Sequence, residues 1–541
     1  MTPLDWTIVL GLNLFVFGYA ALCARKTSTD VDWFLGGRSL PFWLVGVSMF
    51  ATSVDGGEYV AINGATYQDG LIMITGTVFG VGIGGLVAAF LVVPRMYQAG
   101  VFTNAEYLEL RFGPAVRIIS VLVQIQYRTA AAATIAIALH LVLTEVAHLN
   151  TIYAWLLIVG LTLAATLYAA WGGLKTIAIA DLLLGSVMIS ATLLLWFTIW
   201  NEVGGWSGTT ASLTEQLGEA EASRLLHVGR QNTGDSPAVV IVLGWCLIAT
   251  GYFVVNHTQT MKMFGVASLW DLKMSVVAGT GLIMFSGYFS STMGVFGRVL
   301  LPDLERADQV FPQLVDQYLA SGVKGLVVAG MVASAISTFE GIGAALSALF
   351  TRDIYARLIV KDAAERHYLL VSRTATFGCV LLSFAWVPFF LSAPTIVDGF
   401  VRVTSVFVTP LMTVYLVGVL TQVHRKSALI GLLMGTSYGM LAWQGAEWLP
   451  VWFTEKFTAY LWSTAITVTG MLVGSLVLKD EPETVTRSTD DQGWLARSQR
   501  ALSEMKSSPW DKEGVPWFAR PEYWAVLTIS AAAILLFGVF W

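Results

Sequence analysis

The chain has 541 residues, of which 56% are apolar and only 12% charged, and its formal net charge is −5. Soluble domains carry roughly 25% charged residues, so this composition excludes a soluble protein and predicts an all-α protein that crosses a lipid bilayer many times. There is no long acidic or basic tract and no Walker lysine loop, which argues against nucleic-acid or nucleotide partners. The apolar segments contain neither a His-Glu metal motif nor a Ser-Lys arrangement, so we do not expect an enzyme.

A helix needs about 20 mostly apolar residues to cross a bilayer. Fourteen segments meet this requirement: 5–24, 39–64, 70–93, 115–147, 151–171, 176–201, 238–264, 272–299, 324–351, 367–392, 396–421, 426–448, 457–478 and 521–541.

The loop charges give these segments a direction, because short cytoplasmic loops carry an excess of Lys and Arg. With the N-terminus outside, the short outer loops hold only Lys456. We therefore expect both termini outside. The inner loops and their edges then hold Arg25, Lys26, Arg38, Arg95, Arg111, Arg117, Lys175, Lys262, Lys273, Arg352, Arg357, Lys361, Arg366, Arg425 and Lys426.

The second segment is interrupted in its middle by an acidic, glycine-containing run, Ala51 to Glu58. Hydrocarbon cannot hydrogen-bond a free backbone group, and a carboxylate at that depth is costly. Such a break is tolerated only where it faces protein or a watery cavity. It therefore predicts a transporter binding site on an unwound helix.

A second interruption lies five segments later, where 238–264 contains Gly251 and the polar run Asn256 to Thr260. Two broken segments in matching halves indicate an inverted repeat with a site near the midplane. The outer loop 300–323, between the eighth and ninth segments, carries Phe311, Leu314 and Tyr318 at helical spacing, which predicts a short amphipathic helix over the outer mouth.

Three hydroxyls lie on one face of the ninth segment, since Ser334, Ser337 and Thr338 stand at i, i+3 and i+4. Together with carbonyls from a broken helix they could form an oxygen cage of the kind that hard cations prefer. The alternative is that these small residues serve close helix packing and bond to their own helix.

Four ionisable residues inside segments are functional candidates by default. Asp181 and Glu340 could bind a cation or a proton, although Asp181 could also cap a helix end. Arg128 and Arg402 could bind a substrate carboxylate as a bidentate fork. Either arginine could equally pair with a protein carboxylate, for which the candidates are Asp55, Glu58 and Asp398.

Six strings in order resemble the sodium/solute symporter family, which includes sodium/sugar, sodium/proline and sodium/sialic-acid symporters. They are WFLGGR at 33–38, GATY at 64–67, VFTNAEYLELRF at 101–112, YAAWGGL at 168–174, GVKGL at 322–326 and TRDIY at 351–355. The resemblance runs from about residue 33 to 478. It implies the leucine-transporter-type fold, with about 14 membrane helices and a ten-helix core of two inverted five-helix repeats whose first and sixth helices are broken.

The resemblance implies that Na⁺ is the coupling ion. Its site lies between the first and eighth core helices, with ligands Ala51, Val54, Ser334, Ser337 and Thr338. Some members hold a second sodium with an aspartate that matches Asp181 and with serines that here are Glu340 and Gly341. The possible second site for a cation or proton is therefore Asp181, Ser337 and Glu340.

The expected substrate-binding residues are Thr52, Ser53, Asp55, Glu58, Thr77, Arg128, Asn256 and Arg402. They do not copy the sugar transporters, and Arg128 resembles the arginine that sialic-acid members use for a carboxylate. The expected partner is therefore a small polar organic solute.

The expected function is sodium-coupled symport of this solute into the cell by alternating access. The alternative is a proton-coupled or sodium-independent carrier that uses Glu340 or Asp181. We expect a monomeric unit in a plasma membrane, specifically a bacterial inner membrane. The regions are an N-terminal helix and loop at 1–34, a core at 35–422, further helices at 423–478, a cytoplasmic linker at 479–520 and a last helix at 521–541.

Overall fold

The computed structural model describes residues 1–23, 35–229, 237–445, 449–478, 510 and 515–541. Every regular element among these residues is helical, apart from one isolated bridge between Leu40 and Val266. The predicted all-α class is therefore confirmed. Most of the predicted linker at 479–520 lies outside the described residues, and the division into regions stays a prediction.

The helices begin and end as follows. They are α1 (Pro3–Cys23), α2 (Phe42–Ser53), α3 (Gly56–Asp69), α4 (Leu71–Gln98), α5 (Asn104–Phe112), α6 (Pro114–Glu145), α7 (Thr151–Glu202), α8 (Gly205–Leu217), α9 (Glu219–Leu226), α10 (Ala238–Val255), α11 (His257–Phe264), α12 (Leu269–Leu300), α13 (Val310–Tyr318), α14 (Val323–Ile359), α15 (Glu365–Ser392), α16 (Ile396–Leu420), α17 (Ser427–Trp443), α18 (Val451–Thr454), α19 (Thr458–Val477) and α20 (Pro521–Val539).

Ten helices in the described part of the chain are long and apolar enough to cross a membrane. Four shorter apolar stretches accompany them: Pro3–Val16, Phe42–Ser53, Thr151–Leu167 and Ser427–Trp443. The predicted count of fourteen spans stays a prediction, because length and composition alone define these candidates.

Helix α7 joins two segments that the sequence separates, 151–171 and 176–201. Its backbone is helical over all 52 residues. The turn that we expected between the two segments contains Gly172 and Gly173 but no proline. Glycine costs a helix about 1 kcal/mol but keeps its N–H donor, so it does not by itself end a helix.

Both predicted helix breaks are confirmed. Helix α2 ends at Ser53, and Val54 leaves the helical region with φ −103° and ψ 75°. Asp55 is extended and caps α3, since its carboxylate accepts from the Glu58 N–H. In the second break, Asn256 separates α10 from α11 and caps α11 in the same way.

The ends of the two broken helices are joined at one face of the bundle. The Leu40 N–H donates to the Gly265 carbonyl at 3.0 Å, just before α2 and just after α11. Arg38, which we expected at a loop edge, is buried and donates to the Phe264 carbonyl at 3.2 Å. Because Phe264 is the last residue of α11, this bond gives a partner to a carbonyl that has none within the helix.

A buried ion network closes the same face, which we call the Asp353 end. Arg117 of α6 donates to Glu109 of α5 at 2.6 Å and to Asp353 of α14 at 2.5 Å. Arg352 bonds to Glu106 at 3.0 Å. These charges tie α5 to two long helices, because a buried charge is tolerated only with its partner in place.

The opposite face, which we call the Asp308 end, is covered by α13, and the amphipathic helix predicted there is confirmed. Phe311 is buried and its ring contacts that of Tyr59 in α3. Beside it, Asp308 accepts from the Ile396 N–H at the start of α16 at 3.2 Å. Only glycine fits at Gly64, since a Cβ there would lie 2.5 Å from the Asp308 carboxylate.

Arg117→Met should destabilise the protein by about 3–5 kcal/mol, because it leaves two buried carboxylates without their cation. The matched control is Lys273→Met, which breaks the partly exposed pair with Glu522 and should cost less than about 1 kcal/mol. Thermal unfolding of purified protein measures both changes. Equal losses would contradict a structural role for the network.

Asp308→Asn should remove a pH dependence of stability. Burial raises the pKa of Asp308 from 3.8 to about 6, although Arg306 and the Ile396 N–H act in the opposite direction. A raised carboxyl pKa stabilises the fold at low pH, and this stabilisation is lost as the pH rises through the folded pKa. From pH 4 to above 6 the native chain should lose about 3 kcal/mol relative to the variant. If the free energy of unfolding changes with pH in the same way for the native chain and the variant, this assignment is wrong.

Candidate cation and solute site

The break between α2 and α3 leaves helix-end carbonyls without helical partners. In a continuous helix, the N–H of Asp55 would reach the carbonyl of Ala51. Asp55 instead has an extended backbone and begins the next helix as its cap. The break therefore supplies carbonyl oxygens such as that of Ala51, inside the membrane and surrounded by protein.

Helix α14 lies directly against this break. The Ser334 hydroxyl accepts from the Gly56 N–H at 3.1 Å. Four residues further along α14, the Thr338 hydroxyl is buried and has no hydrogen-bond partner of normal geometry, although the Asp55 carboxyl lies close enough to interact with it. A buried hydroxyl without a partner is a feature that calls for a ligand.

The structure thus brings the break and the predicted hydroxyl face of α14 into contact. The hydroxyl of Ser337 donates to a carboxylate oxygen of Asp181 in α7, and its lone pairs stay free to accept or to bind a cation. The donor set consists of carbonyl and hydroxyl oxygens, which suits a hard monovalent cation.

Asp181 has a partner that sequence reasoning missed. The ammonium of Lys262 in α11 lies 2.8 Å from its carboxylate, and both side chains are at most 1% exposed. The loop-charge pattern had placed Lys262 at a membrane edge. The available signal was its position inside an apolar segment, which is the argument that selected Arg128.

A cavity of about 160 Å³ lies beside the break, on the side toward the Asp308 end. Its walls come from α2, α3, α4, α6, α10, α12 and α16. Six of the predicted substrate residues line it, namely Thr52, Ser53, Asp55, Glu58, Thr77 and Arg128. Their side chains surround one space although they come from four separate helices.

Arg128 lies in the wall of this cavity without an ion-pair partner among the described residues. It is buried, its Nε atom makes no hydrogen bond, and its guanidinium lies 5.4 Å from the centre of the Tyr127 ring. Asp398, one of its candidate partners, instead pairs with Lys456 at 2.7 Å. The Asp55 carboxyl lies close enough to interact electrostatically with this guanidinium but forms no ion pair with it, so the guanidinium can bind an anionic or carbonyl group of a ligand.

Tyr252, which lines the cavity, and Gln259, which hydrogen-bonds to it, were not singled out from the sequence. The hydroxyl of Tyr252 lies 2.9 Å from that of Ser53. The Gln259 amide donates to both hydroxyls, at 3.0 Å and 2.8 Å, while its own carbonyl oxygen has no partner. These contacts connect α2 to both halves of the second broken helix.

The two remaining predicted substrate residues lie outside the cavity lining. Asn256 is buried in the second break, where its side-chain oxygen accepts from the Thr258 N–H at 3.0 Å. Arg402 is exposed on the surface of α16. Arg402 lies one helical turn from Asp398 on α16 and is not among the residues that line the cavity.

The chain matches the Sodium:solute symporter family over residues 33–435. It is 26% identical over 485 residues to sodium/glucose cotransporter 1 of Oryctolagus cuniculus, covering 80% of this chain and 70% of that protein. It is 25% identical over 434 residues to the uncharacterized symporter YidK of Escherichia coli (strain K12), covering 77% of this chain and 74% of that protein. A solved substrate-bound, outward-open Na⁺-coupled sialic acid symporter shares the fold with a TM-score of 0.75 at 18% identity, covering 88% of this chain and 98% of that chain.

These likenesses confirm the expected ten-helix fold with its two broken helices, and they identify a multi-pass membrane transporter rather than an enzyme. The family match covers well over half of the residues. The chain belongs to the sodium:solute symporter family.

Proposed function

We propose that this protein imports a small polar organic solute together with Na⁺ by alternating access. The observation that carries the proposal is the contact between the broken helix and α14, where the Ser334 hydroxyl accepts from Gly56 and the buried Thr338 hydroxyl makes no hydrogen bond of normal geometry. We assign the Na⁺ ligands as the carbonyls of Ala51, Val54 and Ser334 with the hydroxyls of Ser337 and Thr338.

Coupling follows from where this ion binds. A cation held by both the break and α14 stabilises the conformer in which the two are in contact. Asp55 and Glu58, which follow the break directly, line the cavity. Each ligand therefore favours the same arrangement of the broken helix, and linkage makes the two binding events mutually favourable.

The solute class follows from the groups that the cavity leaves free. The Glu58 carboxylate accepts no hydrogen bond from any described residue, and the Nε of Arg128 donates none. A suitable solute carries both a donor for the carboxylate and an acceptor for the guanidinium. Hydroxylated carboxylates, amino acids and ureides meet this requirement.

The direction of entry follows from the two ends of the bundle. The buried ion network closes the Asp353 end, whereas the cavity reaches Ile396 and Val397 at the start of α16 near the Asp308 end. We propose that the Asp308 end faces outside, as the loop charges predict. Both termini then lie outside a plasma membrane, specifically a bacterial inner membrane, and the monomer is the functional unit.

The rival function is proton coupling through Asp181 or Glu340. Asp181 forms an ion pair with Lys262. Glu340 is buried and interacts electrostatically with both residues of this pair. Uptake that persists without Na⁺ and follows the pH gradient would support this rival and contradict Na⁺ coupling.

Thr338→Val should abolish most of the stabilisation that Na⁺ gives the purified protein, with a smaller effect on the melting temperature without Na⁺. The reason is that the variant removes a buried hydroxyl that makes no hydrogen bond of normal geometry and has only the Asp55 carboxyl near it until an ion binds. A lost contact to a charge weakens binding about 10- to 100-fold. Thr338→Ser, which keeps the hydroxyl, is the matched control. If both variants keep the native Na⁺ response, the assigned site is wrong.

Arg128→Met should weaken solute binding about tenfold or more and leave the Na⁺-induced thermal shift intact, since it removes the cavity's unpaired donor. The assay is a thermal-shift screen of sugars, amino acids, carboxylates and ureides with and without Na⁺, followed by titration of the solutes that bind. The control is Arg402→Met, which removes an exposed guanidinium outside the cavity. An equal effect of both variants would exclude Arg128 as a solute ligand.

A further inference from the structure

We propose that the ammonium of Lys262 is a built-in cation that occupies the position beside Asp181, so that this transporter binds a single Na⁺ in each cycle. The inference rests on the proposed Na⁺ coupling and specifies its stoichiometry. It also assigns Asp181 a role as the counter-ion of Lys262 rather than as a ligand for a second transported ion.

The surroundings of the ammonium are those of a bound metal cation. Its nitrogen lies 2.8 Å from the Asp181 carboxylate and 2.8 Å from the carbonyl of Ser48, and it also donates to the Thr52 hydroxyl. These are three oxygen ligands of three kinds: a carboxylate, a carbonyl and a hydroxyl. An ammonium has three donors, so this set satisfies all of them.

The remaining donors around Asp181 are also used. Its other carboxylate oxygen accepts from Ser337 of α14, and the oxygen that binds Lys262 accepts in addition from Ser48 of α2 at 2.5 Å. The cluster thus joins α2, α7, α11 and α14, and both α2 and α14 also supply proposed Na⁺ ligands. A Na⁺ at Asp181 would need the oxygens that the ammonium already holds.

Repulsion between two cations in the same place supports the same conclusion. Lys262 and Asp181 are at most 1% exposed and neutralise each other. Glu340, 2% exposed, adds an electrostatic interaction with both. A Na⁺ in direct contact with Asp181 would place a second positive charge next to the ammonium in a medium that screens poorly, which is unfavourable.

The test counts Na⁺ ions bound at equilibrium to purified protein in nanodiscs, with ²²Na⁺ as the only ligand. The native chain should bind one ion per molecule with a Hill slope near one. Lys262→Met, which keeps the apolar stem and removes the charge, should bind two because Asp181 becomes available. Lys262→Arg should keep a single ion.

A charge-balanced variant keeps the test decisive if Lys262→Met does not fold. Asp181→Asn combined with Lys262→Met removes both charges and should still bind one Na⁺, with an affinity within about threefold of native. Loss of Na⁺ binding in this double variant would show that the bound Na⁺ needs the Asp181 carboxylate and would overturn the inference. Two ions bound to the native chain would also overturn it.

The same counts separate this inference from the proposed function. A native chain that binds no Na⁺ contradicts Na⁺ coupling as a whole. A native chain that binds two ions, both of them required for uptake, leaves symport intact and rejects only the built-in cation.

Discussion

The structure depends on one constraint: backbone groups that leave a helix inside a membrane need partners, because hydrocarbon offers none. At the break between α2 and α3 the protein meets only part of this need. The Asp55 cap satisfies the N-terminus of α3, and Ser334 of α14 accepts from Gly56. The Ala51 carbonyl loses its helical partner, and the Thr338 hydroxyl has only the Asp55 carboxyl near it.

Buried charges in this protein fall into two groups. Those with partners hold the architecture together: the network around Arg117 closes one end of the bundle, and Lys262 with Asp181 connects four helices below the break. Arg128, which is buried, and Glu58, which is partly buried, form no ion pair with any described residue and line the cavity. Because an unpaired buried charge is costly, its presence in a cavity wall is most simply explained by a ligand that pairs with it.

The sequence predicted the breaks and the hydroxyl face of α14 because each depends on local pattern. Glycine and aspartate inside an apolar segment predict an unwound helix, and the i, i+3, i+4 spacing defines a face. The partners of individual side chains depend on tertiary contacts instead. Because Lys262 was counted among the loop charges, its pairing with Asp181 was missed. Spacing alone could not show that Arg402 is exposed and outside the cavity lining while Arg128 lines it.

A high-resolution experimental density map of the protein in nanodiscs, determined in Na⁺ and again with choline replacing Na⁺, tests the central claim most directly. The account predicts a Na⁺-dependent density between the carbonyls of Ala51 and Val54 and the hydroxyls of Ser337 and Thr338, and none beside Asp181 other than the Lys262 ammonium. A map without Na⁺-dependent density at the break, or with an uninterrupted helix through residues 51–58, would contradict it.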